Sequence, residues 1–220
     1  MKRTPLADRE IPRYTRSEEA VHVASHVVGA FLGVVALVWC LLLADGPLEI
    51  FASLVYSLSM ILLYTASSIY HGLPDSMAKR AFQVIDHCTI YIYIAGTYTV
   101  VMLVAVRHEN AAVAWTVFAL EWGVTALAVA LTAIDLERYR HFSMTCYIVL
   151  GWLGAVAAVP GYRALGIGGS VLIVAGGVSY TAGSVLYGIG RKTPFAHSAF
   201  HLFTLLGSVL HLACVVFYVL

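Results

Sequence analysis

Residues 195–219 read FAHSAFHLFTLLGSVLHLACVVFYV, 25 positions without a lysine, arginine, aspartate or glutamate. A hydrocarbon core about 30 Å thick needs roughly 20 helical residues, so this stretch is long and apolar enough to span a bilayer. It also carries His197 and His201, four residues apart and therefore on one helix face. Such a pair can grip one cation, or it can be two core histidines bonded to backbone. The other ligands, if there are any, must come from elsewhere in the chain.

Working outward, six further stretches have the same character: 26–44, 50–70, 82–106, 111–133, 142–159 and 165–187. Short breaks separate them at Asp45-Gly46-Pro47, Gly72 to Asp75, Arg107 to Asn110, Asp135 to His141, Pro160-Gly161 and Gly190 to Pro194. The composition agrees. Of 220 residues 60% are hydrophobic and 11% charged, with mean hydropathy +0.85, against about 25% charged in soluble domains. The reading is an all-α polytopic membrane protein, with residues 1–25 an N-terminal cytoplasmic segment and residues 26–220 a seven-transmembrane helix bundle. Segment length excludes a transmembrane barrel. A net charge of +1 gives no reason to expect nucleic acid as a partner. The polar first 20 residues show no cleavable signal, so the first span is expected to act as an uncleaved insertion signal. Cys40, Cys88, Cys146 and Cys214 lie far apart in apolar stretches and read as small core residues.

A cytoplasmic N-terminus puts Lys2, Arg3, Arg9, Arg13, Arg16, Lys79, Arg80, Arg138, Arg140, Arg191 and Lys192 inside and leaves Arg107 and Arg163 outside. Seven spans then put the C-terminus outside, opposite to G-protein-coupled receptors. In this topology His71, at the end of the second span, and Asp86, one or two turns into the third, meet His197 and His201 at one depth. Thr193 is placed to cap the last span and Pro194 to sit in its first turn. Three imidazoles with an open position form the ligand set of a catalytic zinc site, and the set is too poor in thiolate and carboxylate for iron–sulfur, calcium or magnesium.

Ser67 lies one turn before His71, where it either shares the cavity or bonds the carbonyl four residues back. Asp86 costs about 2.5 kcal/mol or more at such depth unless it is paired or hydrated. Glu121, mid-way along the fourth span, is a second costly acid whose role stays open between packing, pairing and a proton path. Tyr91, Tyr93 and Tyr98 read mainly as packing residues. His87 points away from Asp86; His22, His26, Glu18 and Glu19 lie where the first helix meets the membrane. His108 and His141 read as solvated, and His211 as too deep for the same metal. Glycines and serines of the last three spans allow close helix packing.

The set Ser67-x3-His71, Asp86-His87, Ile94-Ala95-Gly96-Thr97-Tyr98-Thr99 and His197-x3-His201, followed by Leu202-Phe203 and Gly207-Ser208, resembles the hemolysin III family. That family belongs with the adiponectin and progestin receptors and, more distantly, the alkaline ceramidases. The resemblance covers nearly the whole chain. It implies Zn2+ held by His71, His197 and His201, Asp86 reaching the ion through a water, and Ser67 adjacent. One departure stands at His22, where similar proteins tend to have Asn; it falls outside the metal motif.

Two functions follow as expectations. One is hydrolysis of a lipid amide or ester from the bilayer, with Asp86 as general base and then acid and Ser67 orienting water or stabilising an oxyanion. The other is a non-catalytic lipid sensor, receptor-like or homeostatic protein, or a cytolysin, with zinc as a staple. No polar stripe crosses the full membrane thickness, which disfavours a pore.

Overall fold

The computed structural model describes residues 3–189 and 193–220; Lys2, Arg191 and Lys192, counted in the charge bias, lie outside them, as does part of the Gly190–Pro194 break. The helices are α1 (Arg16–Leu43), α2 (Pro47–Gly72), α3 (Met77–Val100), a single turn α4 (Arg107–Glu109), α5 (Ala111–Ile134), α6 (Arg140–Gly151), α7 (Ala158–Ile189) and α8 (Ala196–Cys214). A π-helical stretch, Val101–Val106, joins α3 to α4, and another, Val215–Val219, ends α8. No strand occurs among the described residues. Among the described residues, six helical stretches are long and apolar enough to cross a membrane, so the chain is an integral membrane protein built as a helical bundle.

α1 shows how the sequence specifies this. Its inward positions are Glu18, His22, Ser25, His26, Gly29, Gly33, Ala36 and Cys40, small or polar residues at three- and four-residue spacing. Its outward positions include Val27, Val28, Phe31, Val34, Val38 and Leu42, all exposed. A helix that turns bulky apolar side chains outward and polar ones inward is soluble only in lipid. Close approach follows from the small residues: a Cβ on Gly29 would collide with the Tyr64 ring, and one on Gly96 with Ser59 Oγ.

Helix ends match the local chemistry. Thr15 and Glu18 form a capping box that starts α1 at Arg16, ten residues before the first apolar run. Ser76 accepts from the Lys79 amide at 3.2 Å and Asn110 from the Val113 amide at 3.1 Å. The expected cap on the last span is different. α8 begins after Phe195, in the left-handed region at φ 58°, with no side-chain cap from Thr193. Thr193 contributes its carbonyl, which accepts from the Ala196 amide at 3.3 Å, and the Phe195 amide is satisfied instead by Glu18 Oε1 of α1 at 2.8 Å.

The chain also does not turn at Pro160-Gly161. Pro160 sits in the first turn of α7, where its missing N–H costs no hydrogen bond. The turn comes at Gly166, with φ 62°, a conformation open to glycine. A continuous 50-residue helix over Arg140–Ile189 would be about 75 Å long. Instead Trp152 Nε1 donates to Thr181 Oγ1 at 3.0 Å, 29 residues on, so this stretch doubles back on itself. Cys40, Cys88 and Cys214 are buried and Cys146 partly exposed, all as free thiols.

At one end of the bundle the N-terminal segment is strapped across the loops. The Thr4 amide donates to Asp135 Oδ2 at 2.8 Å, Arg9 Nη2 to the Ile134 carbonyl at 2.9 Å, and Arg80 Nε to the Arg9 carbonyl at 3.3 Å.

Candidate metal centre

Beneath that strap four buried histidines converge. His71 is in the last turn of α2, His197 and His201 are in the first two turns of α8, and His22 comes from α1. Each offers one ligand atom within 4.8 Å of the others. The six ring-to-ring distances run only from 4.5 Å (His22–His71) to 5.4 Å (His71–His197), so the rings occupy the corners of a nearly regular tetrahedron. His197 Nε2 lies 3.1 Å from His201 Nε2, while His22 and His71 turn their Nδ1 atoms, 3.2 Å apart, toward Glu19, and His22 Nε2 lies 3.0 Å from Ser198 Oγ. Nitrogens around a tetrahedral zinc are about 3.3 Å apart. The donor set therefore fits a transition-metal ion that favours imidazole.

The sequence reading brought together His71, His197 and His201, and the structure does the same. It placed His22 outside the motif, whereas His22 is fully buried against all three. The available signal was the His22-x3-His26 pair, the same spacing as His197-x3-His201. His26 lies against His201, the rings tilted and 3.9 Å apart between centres, and neither of its nitrogens has a hydrogen-bond partner among the described residues. Tyr14 covers the cluster from outside, stacked on His197 at 4.8 Å and edge-on to His22 at 4.9 Å.

Ser67 and Asp86 face a cavity of about 160 Å³ whose wall also includes His26, His197 and His201. The rest of that wall is largely apolar or aromatic, with Leu63, Ile90, Ile94 and Phe200. Asp86 is not among the four clustered donors. Its Oδ2 lies 3.8 Å from His87 Nδ1, which is itself 2.8 Å from the Gln83 carbonyl. His87 Nε2 meets the Tyr187 hydroxyl at 3.2 Å.

The remaining polar residues sort by position. Glu121 is fully buried in α5, both oxygens unpartnered among the described residues, and is not in the histidine cluster. Tyr98 packs as expected, accepting from the Gly154 amide at 2.6 Å and donating to the Gly151 carbonyl at 3.1 Å. His211 is bonded to the Ile173 carbonyl at 3.1 Å, and His108 and His141 are exposed.

A lipid-facing helical bundle with a buried four-histidine cluster at one end is a membrane protein built around a candidate metal centre. The model of the Haemolysin-III related family matches residues 14–212, and the chain belongs to that family. It is 35% identical over 206 residues to Hemolysin-3 of Bacillus cereus, covering 92% of each chain. It is 31% identical over 208 residues to the Hemolysin-3 homolog of Bacillus subtilis (strain 168), covering 93% of this chain and 96% of the other. A more distant similarity, 24% over 201 residues, covering 86% of this chain and 81% of the other, is to the human Monocyte to macrophage differentiation factor. With these relatives, the protein is placed in a bacterial plasma membrane.

Proposed function

We propose that this protein binds zinc at the histidine cluster and hydrolyses a lipid amide or ester at the cytoplasmic leaflet. The observation that carries the reading is the cavity, where a carboxylate (Asp86) and a hydroxyl (Ser67) share one wall with His197 and His201. His71, His197 and His201 hold the ion. Zinc, when bound, polarises an acyl carbonyl and lowers the pKa of water toward neutrality. Asp86 takes the proton as water oxygen bonds to the acyl carbon, then delivers it to the departing nitrogen or oxygen as the C–N or C–O bond breaks. Ser67 donates a hydrogen bond to the developing oxyanion. The apolar wall receives the hydrocarbon part of a lipid entering between helices, and Tyr14, part of the same wall, stacks on His197.

The end that carries the cluster also gathers Arg9, Lys79, Arg80, Arg138 and Arg140, and the positive-inside rule makes it cytoplasmic with the N-terminus inside. The doubled stretch Arg140–Ile189 supplies two crossings, for seven in all.

A second reading, a metal staple without turnover, is favoured by His22: four imidazoles satisfy a tetrahedral ion and leave no open position. The experiment that separates the two measures lipid turnover by purified protein with and without zinc, beside His197→Ala and Asp86→Ala. Hydrolysis that requires metal and both side chains supports the enzyme. Metal loss in His197→Ala with no lipid cleaved by any form leaves the staple or sensor. The names of the Bacillus relatives refer to haemolysis; for this chain we attribute any lysis to membrane perturbation on overexpression.

A further inference from the structure

Glu19, on the first turn of α1, is an acid in contact with the histidine cluster. Its Oε2 lies 2.6 Å from His71 Nδ1 and 3.4 Å from His22 Nδ1. Its Oε1 accepts from Lys79 Nζ of α3 at 2.9 Å. Lys79 is only 6% exposed; it also donates to the Leu73 carbonyl just past α2, at 3.0 Å, and lies 5.2 Å from the centre of the Tyr70 ring. One carboxylate thus ties the ends of three helices to an imidazole of the proposed site.

We infer that Glu19 is a positioning residue for the metal, with Lys79 holding it in place. The inference rests on the reading of the histidine cluster as a metal site but not on whether that site is catalytic. An imidazole has two nitrogens, and a carboxylate accepting from one of them fixes the tautomer and leaves the lone pair of the other for a cation. At 2.6 Å the Glu19–His71 contact is a short, charge-assisted hydrogen bond. It turns the ring of His71, which sits at a helix terminus, and makes it more basic toward a metal. Lys79 neutralises the second carboxylate oxygen. Without Lys79 the acid is free to swing toward solvent, to which it is 23% exposed.

The test uses the full-length chain purified with zinc, competition with a soluble chelator to give affinity, and X-ray absorption to count imidazoles and oxygens on the metal. Glu19→Ala is expected to weaken zinc binding by about 10–100-fold while the number of imidazoles at saturation stays at the wild-type value. Glu19→Gln, which keeps an acceptor oxygen, is expected to fall between. Glu19→Ala combined with Lys79→Met removes the unpaired ammonium and is expected to stay weak. Recovery of wild-type affinity in that double variant would mean that Glu19 merely neutralises Lys79, and the inference fails. It also fails if Glu19→Ala binds zinc as tightly as wild type, or if an oxygen ligand present in wild type disappears in Glu19→Ala, since Glu19 would then bind the ion itself. Wild-type protein that takes up no zinc overturns the reading of the cluster first, and this inference with it.

Discussion

Truncating His197 to alanine removes one corner of the ring tetrahedron and leaves His22, His71 and His201 facing an apolar gap. Metal content should fall at least about tenfold on chelator challenge, whereas Asp86→Ala, outside the four-donor cluster, should keep its metal and lose only turnover. Elemental analysis beside a lipid hydrolysis assay reads both; equal metal loss in the two variants would make Asp86 a ligand. Three of the four histidines were legible because His71 and the His197/His201 pair sit at helix ends that a charge-based topology brings to one depth. His22 was not, because helix periodicity alone does not tell which of four polar residues near Arg16 points inward. Rotation of α1 is set by Gly29 seated against Tyr64 and Gly33 against Ile61, tertiary contacts that no single segment encodes.

Among the elements, α1 and α8 depend on each other through Glu18, which caps its own helix with Thr15 and accepts the Phe195 amide that opens α8. Thr15→Ala should cost about 1 kcal/mol of helix stability, as N-cap losses do. Glu18→Ala removes both connections and should therefore lower the thermal midpoint further than Thr15→Ala does; an equal shift would show that the Phe195 contact contributes nothing. The apolar lengths and the Gly72 and Asn110 boundaries were readable from residue chemistry; the capping of α3 by Ser76, six residues before the apolar run, was not. The division of Arg140–Ile189 was not, since Pro160-Gly161 has the composition of a turn while proline is equally at home in a first helical turn. Gly166, with no polar neighbour to mark it, carries the positive φ.

The same scale holds a pH effect outside the membrane. Burial raises the Asp135 carboxyl, but the Thr4 and Arg138 amides and the Arg9 guanidinium outweigh it and hold it below the ordinary aspartate value. A depressed carboxylate contributes stability above its unfolded pKa of about 3.9 and loses it as pH falls through the folded value. Protection of the Thr4 amide, its exchange rate relative to the unstructured rate at the same pH, should drop on acidification below about pH 4, and Asp135→Asn should abolish that step. Unchanged Thr4 protection across this range would remove Asp135 as the anchor of the strap.

For the whole molecule, the distribution of polarity is the organising fact: polar and small groups inside, bulky aliphatics facing lipid, cations gathered at the end that bears the histidines. A cysteine placed at Arg138 should react with an impermeant thiol reagent only in inverted vesicles, and one at Arg163 only in right-side-out vesicles. The reverse pattern would put the site at the outer leaflet. Purified protein at low density in liposomes should not release an encapsulated dye, because the sequence carries no polar stripe through the full membrane thickness; prompt leakage would return the cytolysin reading.

That the histidine cluster is a metal centre is tested most directly by the metal content of the purified full-length chain. Protein prepared with zinc and freed of loose ion should retain about one zinc per chain, with an absorption spectrum dominated by imidazole nitrogen. Retention of no zinc, or of zinc unaffected by His71→Ala and His201→Ala together, would contradict it.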